Sequence, residues 1–270
     1  MTTEKELAYR YDLFVAPDWR NRYDTLLSDN VEIPLEATVL DAGCGTGGYA
    51  VDLAGLMRPK GGDVVGVDPS DERLELARAR ALVVKLDNVR FQNGSILNLP
   101  FEDERFDAVI GDASMFARDQ VRTAMAEVIR VARPGAPVIL KITSRGSFDE
   151  FFSVYWEALH DSELDAESWA PLEELINDRM TTSAAESMAA NAGLRNASNV
   201  TSKEEFVFDS GEDFLTSPLV ADNFLAGWLS IVPEEKRPDI LRKITEIIER
   251  DRHEGTFDVS IKATLIFGVK

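Results

Sequence analysis

The sequence is poor in the residues that build disulfides and metal centres. Its 270 residues contain one cysteine, Cys44, and two histidines. A single cysteine excludes an internal disulfide, and so few thiols and imidazoles leave no cluster with metal-ligand spacing. We therefore expect no bound metal and a reducing, cytoplasmic compartment. Within its glycine-rich surroundings, Cys44 is expected to be a small packing residue and not a nucleophile.

Basic residues and long apolar runs are also scarce. Lysine and arginine total 29 against 48 aspartates and glutamates, which gives a formal net charge of -19. Such a chain repels polyanions at long range, so neither DNA nor RNA is an expected partner. No apolar run approaches the roughly 20 residues of a membrane helix, and the N-terminus is charged from the start. We expect a soluble protein that acts on a small molecule and not on a membrane.

What the chain does contain is a glycine-rich loop directly after a short apolar run. Residues 39–50 are VLDAGCGTGGYA, a pattern that predicts a buried strand, a tight turn and the start of a helix. Glycines allow a positive φ and let a ligand lie against the backbone, and the first N–H groups of a helix are unpaired. The loop predicts a cradle for a nucleotide-like cofactor, formed by Asp41, Gly43, Cys44, Gly45 and Gly47.

Two cofactors fit this loop. Gly43, Gly45 and Gly48 satisfy the dinucleotide fingerprint G-x-G-x-x-G, and Asp68 follows at about the expected 20 residues. Asp41 favours a different ligand, because a carboxylate at the strand tip repels a pyrophosphate but attracts a sulfonium and an ammonium. S-adenosylmethionine carries both cations and no phosphate. An NAD(P)-dependent oxidoreductase stays open as the alternative, although the sequence contains no Tyr-x-x-x-Lys pair.

Four segments carry a family resemblance. The motif D-x-G-x-G-x-G at residues 41–47 resembles the first motif of the class I S-adenosylmethionine-dependent methyltransferases. Residues 93–101 (NGSILNLPF), 101–107 (FEDERFD) and 130–142 (RVARPGAPVILKI) resemble later segments of that family in the same order. The resemblance implies an α/β fold with a doubly wound, mostly parallel, seven-stranded Rossmann-like sheet. It also implies S-adenosylmethionine as cofactor and S-adenosylhomocysteine as product.

The alternation of strands and helices itself predicts a parallel, doubly wound sheet with right-handed crossovers. We expect one domain over residues 1–270. Its expected parts are N-terminal lid helices at 1–30, a cofactor-binding core at 36–145, helical cap insertions at 146–180 and 212–252, and a final strand at 257–269. One amphipathic helix is expected across residues 214–232. In the resembled family, the final strand is antiparallel and lies between the fifth and the sixth.

Asp68 ends the second predicted strand, just before Pro69 and Ser70. A carboxylate at this position can accept hydrogen bonds from both ribose hydroxyls of a bound adenosine, and Pro69 is included in the same predicted site. The alternative is that Asp68 or Ser70 only caps the following helix.

Ser95 stands where the resembled family has an acidic residue that holds the adenine amino group. A serine can still accept a hydrogen bond, but not a charge-assisted one. Ile96 is a predicted apolar contact of the adenine, with filling of the sheet edge as its alternative role.

Asp112 ends the fourth predicted strand, at the edge where open α/β sheets meet their ligands. It is predicted to bind the cofactor or the substrate, or to act as a general base, with capping of the next helix as the alternative. No other catalytic residue is predicted, because methyl transfer from a sulfonium chiefly needs alignment. The predicted acceptor contacts, for which packing is the alternative role, are Tyr11, Trp19, Met115, Phe116, Phe148 and Tyr155.

These observations favour a methyltransferase that acts on a small molecule, as a monomer or a homodimer. The replacement at Ser95 keeps a second class of function open, a protein that binds S-adenosylmethionine without catalysis.

Overall fold

The computed structural model describes residues 2–162, 164–251 and 255–270, with the backbone alone for residues 165–167. The chain divides into two compact units. The first comprises Met1–Ile142, Thr181–Ser202 and Ala263–Lys270, and the second comprises Thr143–Met180 and Lys203–Lys262. Both predicted cap insertions fall within the second unit. Met1 of the predicted lid, Glu163 of the first insertion and Arg252 of the second lie outside the described residues, and the single domain stays a prediction.

Seven strands are present among the described residues: β1 Thr38–Ala42, β2 Asp63–Asp68, β3 Val89–Asn93, β4 Ala108–Asp112, β5 Pro137–Thr143, β6 Arg195–Phe208 and β7 Phe257–Val269. They form one sheet in the order β3-β2-β1-β4-β5-β7-β6, and the pairs among β1 to β5 are parallel. The N–H of Gly135 donates to the carbonyl of Lys270 at 2.8 Å, and the N–H of Lys270 donates to the carbonyl of Ala136 at 3.0 Å. The end of β7 therefore lies beside the start of β5, so β7 runs antiparallel between β5 and β6. The predicted mostly parallel, seven-stranded sheet is confirmed.

The α-helices in chain order are α1 Glu4–Arg10, α2 Asn21–Asn30, α3 Gly48–Met57, α4 Asp71–Val83, α5 Arg118–Val131, α6 Asp149–His160, α7 Asp165–Asn177, α8 Thr182–Asn191, α9 Gly211–Thr216, α10 Pro218–Asn223, α11 Leu225–Trp228 and α12 Arg237–Asp251. Tyr11–Arg20, between α1 and α2, is wound as a π-helix. Short 3₁₀ turns occur at Arg58–Lys60, Leu229–Ile231 and Glu234–Lys236. Within the described ranges, no helix has the length and apolar character to span a lipid bilayer.

The core of the first unit follows from continuous apolar strands. Val39, Leu40 and Ala42 of β1 are fully buried, as expected for a central parallel strand covered on both faces. The helices α3, α4 and α5 follow β1, β2 and β4 along the chain, which is the crossover pattern of a doubly wound sheet. This arrangement brings the carboxyl ends of these three strands to one edge of the sheet.

The predicted helix across residues 214–232 is wrong. The structure instead has the three short helices α9, α10 and α11 in this region. Ser217 has an extended ψ of 140° and its hydroxyl accepts the N–H of Val220 at 3.3 Å, so it caps a new helix. Pro218 opens that helix without an N–H to continue α9. The helical spacing of apolar residues in the sequence did not by itself reveal this interruption of the helix.

The second unit is built around aromatic rings. Phe151 of α6 is 1% exposed, and its ring stacks on Trp228 of α11 with centroids 4.4 Å apart. The hydroxyl of Tyr155 donates to the carbonyl of Trp228 at 2.9 Å, which satisfies a buried polar group. Phe214 of α9 packs against the same Phe151 ring with a centroid distance of 5.2 Å. The aromatic spacing of α6 therefore forms the core of this unit.

Phe151→Ala should lower the free energy of unfolding by about 3–5 kcal/mol, because it removes a fully packed ring and leaves a cavity. Trp156→Ala on the same helix is the matched control, since Trp156 is 42% exposed and its loss should cost less than about 1 kcal/mol. Urea titrations followed by circular dichroism measure both values. Equal losses for the two variants would contradict the assigned aromatic core.

Candidate functional site

A cavity of about 110 Å³ lies in the first unit beside Asp68 and Asp112, the last residues of β2 and β4. The structure brings most of the predicted site residues together around it. The lining residues that the sequence predicted are Gly43, Asp68, Pro69, Ser95, Ile96 and Asp112 for the cofactor, and Tyr11, Trp19, Met115 and Phe116 for the acceptor. The sequence interpretation missed three further lining residues, Arg20, Arg73 and Ser114.

Four predicted cofactor residues support the cavity without lining it. Asp41 and Cys44 are fully buried, and burial raises the pKa of the Cys44 thiol well above its usual range, so Cys44 is a packing residue. Gly47 has φ +76°, and a Cβ on it would come within 2.6 Å of the Cβ of Ala77. Gly47 is therefore required where α3 begins against α4. A Cβ on Gly45 would meet the Tyr11 ring at 3.0 Å, so Gly45 faces the N-terminal segment.

Phe148 and Tyr155, two predicted acceptor contacts, are not among the residues that line this cavity. Both lie in the second unit, where Phe148 is 2% exposed and Tyr155 is fully buried. The ring of Phe148 packs on Trp228 at a centroid distance of 5.2 Å. Their helical spacing arises from core packing within that unit, which is the alternative role stated for them above.

Arg20 is the cation at the centre of the site. It is the last residue of the π-helical segment and is 3% exposed. Its Nη2 lies 3.2 Å from Oδ1 of Asp41, and its Nη1 donates to the carbonyl of Gly43 and lies 3.6 Å from Oδ2 of Asp112. Burial alone would lower the pKa of Arg20, but Asp41, Asp24 and Asp112 raise it well above its usual value. The guanidinium is therefore permanently charged, and these acceptors hold a cation.

A second buried cation balances the same carboxylates. Lys141 of β5 is fully buried and forms an ion pair with Asp24 of α2, close to the ring of Tyr49. Burial raises the pKa of Asp41, and the positive charges of Arg20 and Lys141 oppose that shift. Breaking such a buried pair by removing one partner typically costs about 3–5 kcal/mol. The charges beneath the cavity therefore depend on one another.

Asp68 connects the glycine loop to the start of α4. Its Oδ2 accepts the N–H of Gly45 at 2.9 Å, and its Oδ1 accepts the N–H of Ser70 at 3.0 Å. The helix cap is Ser70, whose hydroxyl accepts the N–H of Arg73 at 3.2 Å. The structure thus assigns capping to Ser70 and leaves the Asp68 carboxylate on the cavity wall, with free lone pairs on both oxygens.

Asp112 forms a polar cluster with Ser114 and Trp19. Its Oδ1 accepts the Ser114 hydroxyl at 2.6 Å and the Ser114 N–H at 3.0 Å. The indole N–H of Trp19 donates to the Ser114 oxygen at 2.9 Å. The next helix, α5, begins only at Arg118, so the capping alternative for Asp112 is wrong. These bonds fix the N-terminal segment to the tip of β4.

The N-terminal segment is also held on α4. The guanidinium of Arg73 lies 3.9 Å from the centroid of the Tyr11 ring, and Arg80 forms an ion pair with Asp12 at 2.8 Å. Burial raises the pKa of the Tyr11 hydroxyl, so it stays protonated at neutral pH. Tyr11 and Trp19 are thereby fixed in the wall of the cavity.

Ser95 lies in the loop after β3. Its hydroxyl accepts the N–H of Leu97 at 3.1 Å, which orders the turn that presents Ile96 to the cavity. Ile96 is 3% exposed. No group of three or more histidine, cysteine or acidic side chains in the described part of the chain is arranged to hold a metal ion.

Comparison with known proteins matches the part of the chain that contains the glycine loop and the strands β1 to β4. The model of the Methyltransferase domain family matches residues 39–135. The demethylmenaquinone methyltransferase of Lactococcus lactis is 32% identical over 123 residues, which are 44% of this chain and 48% of that protein. The chain thus spans about half the length of the curated relatives it matches.

Solved structures share the fold over nearly the whole chain. A putative methyltransferase from Bacillus halodurans superposes with a TM-score of 0.59 at 20% identity, and the match covers 92% of this chain and 98% of that one. Haemonchus contortus phosphoethanolamine N-methyltransferase 2, in complex with phosphomonomethylethanolamine and S-adenosylhomocysteine, gives a TM-score of 0.58 at 16% identity, covering 99% of this chain and 58% of that one. Motif order and sheet topology agree with these matches, and residues 39–135 carry the similarity to the Methyltransferase domain family.

Proposed function

We propose that this protein transfers a methyl group from S-adenosylmethionine to a small-molecule acceptor. The observation that carries the proposal is the set of acceptors around Arg20. The carboxylates of Asp41 and Asp112 and the carbonyl of Gly43 all face one buried cation. Two carboxylates facing one guanidinium leave a net negative charge, which suits a sulfonium and an ammonium and disfavours the pyrophosphate of NAD(P).

The remaining residues of the cavity fit the other parts of this cofactor. The Asp68 carboxylate would accept the ribose hydroxyls, because each of its oxygens has accepted only one backbone N–H. Pro69, Ser95 and Ile96 would contact the adenine, with Ile96 as its apolar neighbour. Arg20, which lines the cavity, would attract the carboxylate of the methionine portion.

When bound, S-adenosylmethionine would supply a methyl group already activated by its sulfonium. The chain then has to orient the acceptor and exclude water. Tyr11 and Trp19 would cover the site, since hydrogen bonds and ring contacts fix both in its wall. Asp112, committed to Ser114 and close to Arg20, would position charge and would not remove a proton. Met115 and Phe116 would contact an apolar part of the acceptor.

Demethylmenaquinone is the first acceptor to test, because the relatives with similar sequence are named for it. The purified protein should bind S-adenosylmethionine and S-adenosylhomocysteine more tightly than NAD in calorimetry. Label from methyl-labelled S-adenosylmethionine should appear in demethylmenaquinone, or otherwise in one component of a metabolite extract. Tighter binding of NAD would overturn the proposal, and binding without any label transfer would indicate a non-catalytic protein.

Asp68→Ala should weaken binding of S-adenosylhomocysteine by about 1.5–3 kcal/mol, because it removes a charged acceptor. The same change leaves the N–H groups of Gly45 and Ser70 without an acceptor, so stability should also fall by about 1–3 kcal/mol. Ser70→Ala is the matched control, which should cost about 1 kcal/mol of stability with unchanged affinity. Calorimetric titrations and thermal melts measure both effects. Unchanged affinity in Asp68→Ala would remove this residue from the proposed site.

Ser95→Asp should strengthen cofactor binding by about 1 kcal/mol, because a charged acceptor replaces a neutral one beside the adenine. Asn98→Asp places the same charge on an exposed residue of the same loop and should leave the affinity unchanged. Titration with S-adenosylhomocysteine compares the two variants with the wild type. An equal gain in both would assign the effect to net charge, and no gain in Ser95→Asp would mean that Ser95 does not contact the adenine.

A further inference from the structure

A positively charged groove lies beside β3, the strand at the free edge of the sheet. The strand β3 is the outermost strand, and its described hydrogen-bonded neighbour is β2 alone. The groove has a volume of about 660 Å³, and four consecutive residues of β3, 90–93, line it. The groove also includes Val65 of β2 and Phe106 just before β4, so it extends from the edge of β3 across one face of the sheet.

Three arginines surround this groove: Arg78 of α4, Arg90 of β3, and Arg105 in the loop before β4. No carboxylate of the described residues lies within 4.0 Å of any of them. This is unexpected in a chain with 48 acidic residues and a net charge of -19, where Arg130 and Arg133, for example, are paired with carboxylates. The groove is therefore a local positive patch on an acidic protein, and its charge is free for a ligand.

The edge of β3 offers backbone groups as well as charge. The N–H of Val64 donates to the carbonyl of Asn88, and the N–H of Gly94 donates to the carbonyl of Asp68. In a parallel pair alternate residues face the neighbouring strand, so residues 89, 91 and 93 direct their N–H and C=O groups away from β2. The carbonyl of Phe91 accepts the Nη2 of Arg78 at 3.3 Å, where the N–H of a further strand would otherwise donate.

Apolar surface completes the groove. Phe101 and Phe106 line it, with their rings packed edge to face at a centroid distance of 4.9 Å. Phe106 is 1% exposed and forms part of the floor, and Phe101 is half-buried. A ligand in this groove therefore meets backbone hydrogen-bonding groups, arginines and aromatic rings within one short span.

We propose that this edge binds an extended acidic segment of a partner protein, which adds to the sheet as a strand beside β3. Backbone hydrogen bonds to residues 89 and 93 and to the N–H of Phe91 would fix the segment, and its aspartates or glutamates would pair with Arg90 and Arg105. This binding is independent of the proposed methyl transfer, because none of these residues lines the cofactor cavity.

The probe is a fluorescein-labelled, end-capped nonapeptide of alternating glutamate and valine. A second peptide carries the same glutamates with proline in place of valine, so it keeps the charge but lacks half of the N–H donors. The test variant is Arg90→Glu with Arg105→Glu. The control variant, Lys60→Glu with Arg122→Glu, makes the same change of charge at exposed positions outside the groove. Thermal melts verify that both variants are folded, and fluorescence anisotropy measures binding.

The wild type and the control variant should bind the glutamate–valine peptide saturably, with affinity that falls as salt is raised. The proline peptide and the Arg90→Glu/Arg105→Glu variant should each bind at least tenfold more weakly. The absence of saturable binding would overturn the proposal. The arginines would then serve to prevent the edge of β3 from pairing with other strands. Equal binding of both peptides would reduce the site to charge alone, and a dimer that the test variant abolishes would make a second copy the occupant. Either result contradicts the proposal.

Discussion

The buried guanidinium of Arg20 is the interaction on which the rest of the site depends. It joins the end of β1, the glycine loop and the tip of β4 through Asp41, Gly43 and Asp112. Each of these groups would be costly to bury without a partner, and together with Asp24 and Lys141 they form one set of three carboxylates and two cations. A protein that keeps such a set in its interior accepts a loss of stability to maintain a defined electrostatic environment. Its excess of negative charge is what the proposed site would need for a cationic cofactor.

The glycine loop and the N-terminal segment make this environment from opposite sides. The loop takes its shape from tight contacts, since a Cβ on Gly43 would approach the carbonyl of Asp112 to 3.0 Å. The segment supplies side chains that the loop lacks, an aromatic wall from Tyr11 and Trp19 and the charge of Arg20. Hydrogen bonds from the Trp19 indole to the Ser114 oxygen and from the Ser114 hydroxyl to Asp112 connect the two. The site is thus an assembly of a motif with a distant partner segment, both within the first unit.

The sequence predicted those residues of this assembly that belong to local patterns, within a few neighbouring positions. Asp68 and Gly43 were identified because strand tips and glycine spacing are visible within a few residues. Arg20 was missed because its partners Asp41 and Asp112 lie 21 or more residues away and no local pattern links them. Periodicity could not assign Phe148 and Tyr155, because aromatic residues have the same helical spacing in a protein core and in the wall of a ligand pocket. The topology was predictable from alternation, whereas the breaks at Ser217 and Pro218 depended on a cap within an apolar region.

The π-helical winding of Tyr11–Arg20 has a consequence for how this chain can vary. In a π-helix each N–H donates to the carbonyl five residues back, whereas in an α-helix it donates to the carbonyl four residues back. A π-helix therefore takes up an additional residue that in an α-helix would rotate the residues that follow. The segment begins at the Tyr11 ring and ends at the Arg20 guanidinium, both of which lie on the cavity. Insertion or deletion of one residue between them would turn one of these side chains away from the cavity while the composition stayed the same. The number of residues in this segment is therefore constrained as strictly as their identity, and two sequences that align well over the glycine loop can differ in function through the length of this segment alone.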